Sequence, residues 1–230
     1  MTPLAQAAED ASAFEIAFAY IKTIQDVHET GDTVAKKLSI LRAKAAQKMP
    51  GFVTVDEGDP SYNLQMAAFN LSLGNEGKAW ELTSGQLKVL PKVWETLDQG
   101  YVAWAVEQMR KQKLLDPALE MAFTVLLREN ELDPEVAAQV LLTKGDIYRD
   151  KQNYQAAKIE YEGLKANRRY RAAEAGIRAQ YRLIELLILT KDYTTAESFL
   201  ERLVDSESVR VQAEAYYLYA RMMFDQAEYK

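Results

Sequence analysis

The chain of 230 residues lacks cysteine altogether and contains a single histidine, His28. Without cysteine it has no disulfide, no thiolate-ligated iron–sulfur centre and no thiol nucleophile. One histidine excludes every metal site built from several histidines and gives little basis for a Ser-His-Asp triad. Acidic residues outnumber basic residues by 34 to 28, and the net charge of −6 argues against nucleic-acid binding. The sequence therefore predicts no metal, no cofactor and no nucleic-acid partner.

A basic N-terminal region and a long apolar run are also missing. The first Lys or Arg is Lys22, and Glu9 and Asp10 interrupt the apolar positions before it, so no secretory signal is present in this chain. No segment approaches the roughly 18–20 uncharged residues that a membrane-spanning helix needs. The sequence predicts a soluble chain without a membrane span. Its compartment stays open: cytoplasmic by default, extracytoplasmic if a leader had been removed.

Apolar residues recur every three or four positions along nearly the whole chain, and β-branched alternation is absent. This period is typical of amphipathic helices, so we expect an all-α fold. A helix pair is predicted over 1–50 and a loop over 51–59. The pairs Asp59-Pro60, Asp116-Pro117 and Asp133-Pro134 each predict a helix start, with Asp as the N-cap and Pro as the first helical residue.

One stretch carries a spaced pattern of small and aromatic residues in two successive predicted helices. Its key positions are Gly145, Tyr148, Tyr154, Ala157, Tyr161 and Leu164. The same positions 39 residues later are Ile184, Leu187, Tyr193, Ala196, Leu200 and Leu203. Small residues let two antiparallel helices approach closely, and the aromatic rings fill the space beside them. The pattern strongly resembles the tetratricopeptide repeat, a helix–turn–helix unit of about 34 residues.

The resemblance implies a right-handed α-solenoid of stacked helix hairpins behind the N-terminal helical segment. The array would occupy 60–230, with repeats at about 60–98, 99–137, 138–176, 177–212 and 213–230. The last repeat lacks its second helix, so we expect a fragment of a larger repeat protein. We also expect its final helix to expose an apolar face that favours self-association.

The function implied by the resemblance is that of a scaffold or adaptor which binds a protein or peptide in its concave groove, with no catalytic residues. The groove positions in the repeat frame are Gln139, Leu142, Asp146, Arg149, Arg178, Tyr181, Arg182, Glu185, Glu214, Tyr217 and Arg221. Arg178 and Arg182 lie four residues apart on one helix face, which favours an acidic partner segment. The alternative at this point is that both arginines are solvated and pair with Glu174 and Glu185.

Ala103, Glu107 and Thr143 occupy positions where the carboxylate-clamp members of that family carry Lys or Asn. The full clamp is therefore absent, and chaperone-tail binding is not expected. Two other classes remain open. One is a helical-repeat RNA-binding module; the other, less favoured, is an enzyme that uses carboxylates.

Overall fold

The computed structural model describes residues 61–206 and 208–228 of the chain, and within them it is helical without any β-strand. The predictions for 1–50 and 51–59 lie outside the described residues. The ten α-helices of the described part are α1 (Tyr62–Ser72), α2 (Glu76–Ser84), α3 (Leu90–Val93), α4 (Gln99–Lys111), α5 (Leu115–Leu126), α6 (Pro134–Asp150), α7 (Tyr154–Ala166), α8 (Glu174–Leu189), α9 (Tyr193–Val204) and α10 (Val209–Glu228). Short 3₁₀ turns lie at Trp94–Thr96 and Glu129–Glu131. The all-α prediction is confirmed for these residues.

The chain divides into two compact units between Tyr101 and Val102, within α4. In the first unit α1 packs against α2. Leu64, Ala67 and Ala79 are fully buried there. The hydroxyl groups of Thr83 and Tyr101 share a hydrogen bond of 2.8 Å inside this unit.

In the second unit each helix from α5 to α10 contacts the next one along the chain. The first helices of successive hairpins therefore lie side by side, because α6 contacts α8 and α8 contacts α10. No helix among the described residues is long and apolar enough to cross a membrane.

Four hairpin turns share one backbone conformation at a constant interval. Each contains a residue with positive φ, and the four are 39 residues apart: Gly74 (79°), Lys113 (62°), Gln152 (61°) and Lys191 (62°). In each turn the following amide donates to a carbonyl oxygen of the first helix over 2.9 Å, from Asn75 to Asn70, Leu114 to Met109, Asn153 to Tyr148 and Asp192 to Leu187. These bonds satisfy carbonyls that the end of a helix leaves unpaired. The second helix of each hairpin then begins after the same number of residues.

Gly145 lies where α6 and α7 pack closely together. A Cβ atom on Gly145 would lie 2.6 Å from Cε1 of Tyr161, whose ring is fully buried. Ala157 in α7 and Ala196 in α9 are also fully buried. The side chain of Tyr161 thus fills the space that the missing side chain of Gly145 leaves.

Asp59-Pro60 lies outside the described residues, and the other two Asp-Pro pairs behave differently. Asp133 is the N-cap of α6, and its carboxylate accepts a hydrogen bond of 2.8 Å from the amide of Glu135, so that prediction is confirmed. The prediction for Asp116 is wrong, because α5 begins at Leu115 and Leu114 is its N-cap. The amide of Leu114 is already bonded within the turn, and proline fits the first helical turn without an amide hydrogen.

Candidate functional site

Three carboxylates recur at a 39-residue interval on the first helices of successive hairpins. They are Glu107 on α4, Asp146 on α6 and Glu185 on α8. Arginines follow the first two at the same offset, as Arg110 and Arg149. The neighbouring packing of α6 and α8 brings these side chains into one charged row across the second unit.

Asp146 is the buried centre of this row, with a relative exposure of 3%. Its Oδ1 accepts a hydrogen bond of 2.6 Å from the hydroxyl of Tyr161. The same oxygen lies 3.4 Å from Nε of Arg182 and 3.7 Å from Nη2 of Arg149. Burial and the negative charge of Asp146 raise the pKa of Tyr161, so this phenol stays a hydrogen-bond donor.

Glu185 joins the arginines of three helices. Its Oε2 lies 2.8 Å from Nη1 of Arg182 and 3.3 Å from Nη1 of Arg149. Its Oε1 lies 4.0 Å from Nη1 of Arg221 on α10. Arg182 is therefore paired with two carboxylates, those of Asp146 and Glu185. Its guanidinium stabilises the charged row and is already engaged within the protein.

Arg110 extends the row to α4. It pairs with Glu107 at 2.7 Å and with Asp150 on α6 at 2.9 Å. Burial by itself would raise the pKa of Glu107, but hydrogen bonding and charge from Arg110 outweigh burial, and its pKa lies below the ordinary value. Glu107 is thus ionised and satisfied by the protein itself.

An open cleft of about 340 Å³ lies between α8 and α10 at the end of this row. Its lining residues are Glu174, Arg178, Tyr181, Arg182, Glu185, Arg210 and Glu214. Arg210 and Glu174 form an exposed pair at 3.3 Å across the cleft. Burial and the neighbouring carboxylate of Glu214 raise the pKa of Tyr181, which keeps its hydroxyl protonated.

Three of the lining side chains are unengaged. Within the part of the chain that the structure describes, Arg178, Tyr181 and Glu214 make no hydrogen bond or ion pair through their side chains. Arg178 and Glu214 are exposed, and Tyr181 is half-buried. The cleft therefore offers a guanidinium, a phenol and a carboxylate whose polar atoms are available to a ligand. We call these three residues the open triad.

The groove residues expected from the sequence separate into three groups. Arg178, Tyr181, Arg182, Glu185 and Glu214 line the cleft together. Leu142 and Asp146 are buried, with exposures of 1% and 3%, so neither can contact a partner in this conformation. Gln139, Arg149, Tyr217 and Arg221 lie outside the lining of the cleft, and Tyr217 is 60% exposed.

Sequence reasoning missed two lining residues, Glu174 and Arg210, and the supporting pair of Arg110 with Asp150. Arg210 was not among the predicted groove residues because it precedes Glu214, the first groove position of the last repeat. The constant interval from Glu107 to Asp146 and Glu185 was a signal that could have identified the row. Glu174 pairs with Arg210 and not with Arg178, the partner that the sequence allows for it as an alternative.

No group of His, Cys, Asp and Glu side chains within 61–206 and 208–228 is arranged to hold a metal ion. Comparisons with family models, with curated proteins and with solved structures give no match to this chain. The candidate site is therefore defined by the geometry of this chain alone.

Proposed function

We propose that this chain is a helical-repeat scaffold that binds an acidic segment of a partner protein in the cleft between α8 and α10. The observation that carries the proposal is the open triad, which lies beside arginines that are already paired. Arg178 is a charged donor without a carboxylate partner of its own in the described residues. A planar guanidinium suits a carboxylate because it can donate two parallel hydrogen bonds.

The fixed part of the row supports this use of the cleft. Arg182 and Glu185 form an ion pair of 2.8 Å, so their charges balance. These two lining residues are therefore held in place beside Arg178 before a ligand binds. A ligand would then meet Arg178 and the Tyr181 hydroxyl as donors, and Glu214 as an acceptor for its own amide groups. This combination favours an extended peptide that carries a carboxylate over a bare anion.

The tetratricopeptide-like pattern agrees with this proposal, since arrays of helix hairpins present extended binding surfaces. Four hairpins with one turn geometry at a 39-residue interval are what such an array needs. We propose a right-handed solenoid on the same grounds, together with the repeat boundaries given above.

The test measures binding of fluorescently labelled acidic peptides, each with one tyrosine, by anisotropy. Arg178→Glu should weaken binding by about fivefold or more, since even a rim ion pair contributes up to about 1 kcal/mol and the substitution adds repulsion. Arg171→Glu makes the same charge change at an exposed arginine outside the cleft, and it should leave the affinity within about twofold.

Equal losses in the two variants would show that the peptides respond only to net charge, and the cleft would be excluded as the site. A single-stranded RNA probe serves as the counter-ligand. RNA binding that is tighter than peptide binding, and that falls steeply with salt, would favour the nucleic-acid alternative. Circular dichroism of both variants shows whether the helices are intact.

A further inference from the structure

Helix α10 is apolar on two faces. One face packs inward, with Ala215, Leu218 and Met222 fully buried. The opposite face is exposed to solvent and consists of Val209, Ala213, Tyr216, Ala220, Met223 and Ala227. Its large members Val209, Tyr216 and Met223 are 79%, 59% and 50% exposed. We call these six residues the α10 stripe.

The α10 stripe has the spacing of a helix–helix contact surface. Successive members are alternately four and three residues apart, which is the heptad spacing of a coiled-coil seam. Tyr217 and Phe224 widen the stripe along one edge and are 60% and 64% exposed. Exposed apolar surface of this extent marks an interaction site on a soluble chain.

The order of large and small residues along the stripe selects an antiparallel neighbour of the same sequence. Large side chains alternate with alanines throughout. In an antiparallel pair about an axis near Leu218, Ala213 faces Met223 of the second copy and Tyr216 faces Ala220. Every layer then contains one large and one small side chain, which pack without gaps or clashes. A parallel pair would place tyrosine against tyrosine and alanine against alanine.

We propose that the protein forms a homodimer through antiparallel packing of two α10 helices, with a second copy of this chain as the occupant of the stripe. The helix of 20 residues offers a contact about 30 Å long. This proposal does not depend on the ligand of the cleft.

The absence of cysteine permits a direct test of orientation in the full chain. Tagged Ala213→Cys protein is mixed with untagged Met223→Cys protein under mild oxidation. The proposed dimer crosslinks the two variants to one another. Ala213→Cys alone should not crosslink, because its two copies would be about 15 Å apart along the axis. Rapid crosslinking of Ala213→Cys alone would mean a parallel pair and would overturn the proposal.

Sedimentation velocity across a concentration series gives the second measurement. The wild-type chain should shift from monomer to dimer, and Tyr216→Lys or Met223→Lys should shift the dissociation constant upward by more than tenfold. Leu127→Lys is the matched control, since Leu127 directly follows α5, is 86% exposed and should not affect association. A wild-type chain that stays monomeric at about 1 mM, or equal effects of all three variants, would overturn the proposal.

Discussion

Gly145 shows how one missing side chain positions the charged row. Its Cα faces the ring of Tyr161, and that ring donates its hydroxyl to Asp146 on the same helix as Gly145. The close packing of α6 and α7 therefore places the hydroxyl of Tyr161 within hydrogen-bond distance of the buried carboxylate of Asp146. Gly145, the small residue of the sequence pattern, thus lets the two helices pack closely. Through Tyr161 it also positions the hydrogen bond to Asp146 in the charged row.

The Gly145→Ala variant should be destabilised, although alanine is the better helix former. The new Cβ would lie 2.6 Å and 2.9 Å from two ring carbons of Tyr161, and a fully buried ring has no room to move. We expect a loss of about 1–3 kcal/mol in the free energy of unfolding, measured by urea denaturation. Gly163→Ala in α7 is the control. It meets no atom within 4 Å, and it should gain about 0.5–1 kcal/mol. A gain in both variants would contradict the packing described here.

The raised pKa of Tyr101 should make the folded protein less stable at high pH. Burial raises its pKa to about 12, although the hydrogen bond with Thr83 acts in the opposite direction. In the unfolded chain a tyrosine titrates near about 10, so between these values the unfolded state binds fewer protons than the folded state. The free energy of unfolding therefore falls as the pH rises from about 10 to 12.

Thermal melts of wild type and Tyr101→Phe across this pH range measure the effect. The pH-dependent loss should be smaller in the variant, because phenylalanine does not titrate. Other buried tyrosines contribute too, since burial also raises the pKa of Tyr161. An identical slope in wild type and variant would contradict the assignment to Tyr101.

At the scale of elements, the hairpin turns repeat more exactly than the sequence that forms them. Only the first of the four positive-φ positions is a glycine, and the others are Lys113, Gln152 and Lys191. An L-residue other than glycine is strained in this conformation. The bond from the following amide to the first helix holds these residues there nonetheless.

Gln152→Gly should therefore stabilise the protein. Gln152 is exposed with φ of 61°, and glycine removes the steric strain of the left-handed conformation at some cost in chain entropy. We expect a net gain of up to about 1 kcal/mol in the free energy of unfolding by denaturant titration. Gln152→Ala is the control and should give no gain, because alanine keeps the strained Cβ. Equal effects of both substitutions would show that strain at this turn is negligible.

Helix existence could be predicted from the sequence, but helix ends only in part. The apolar period was enough to predict helices, and Asp133 was enough to place the start of α6. The prediction for Asp116 failed because the turn at Lys113 starts α5 at Leu115, which places Asp116 inside the first helical turn instead of at the N-cap. The left-handed residues other than Gly74 had no sequence signal, since Lys and Gln have no preference for that conformation and the bond from the next amide to the preceding helix holds them there.

At the scale of the whole molecule, the repeat frame predicted five of the seven residues that line the cleft. It gave the helix face of Arg178, Tyr181 and Glu214, because residues at one repeat position share a face. The repeat frame could not predict which of these residues form ion pairs. Pairing depends on the distance between α4, α6 and α8, and Arg178 and Arg182 look equivalent until Asp146 and Glu185 engage only Arg182.

The charged row should couple α4 to α6 more strongly than surface ion pairs do elsewhere. Asp150 accepts from Arg110 at 2.9 Å and lies 3.8 Å from Arg149, and its side chain is only 14% exposed. Asp150→Asn keeps the volume but removes the charge between two partly buried guanidinium groups. We expect it to lower the free energy of unfolding by about 1–3 kcal/mol, because those groups lose a partner that water replaces only in part.

Glu81→Gln provides the comparison on α2. Glu81 pairs with Lys78 at 2.9 Å, but the two side chains are 68% and 51% exposed. Removing its charge should change the free energy of unfolding by less than about 0.5 kcal/mol, and high salt should abolish even that. The loss in Asp150→Asn should persist at high salt, because partly buried pairs are poorly screened. If salt abolished both effects alike, the row would be an ordinary solvated surface network, and Asp150 would not hold α4 against α6.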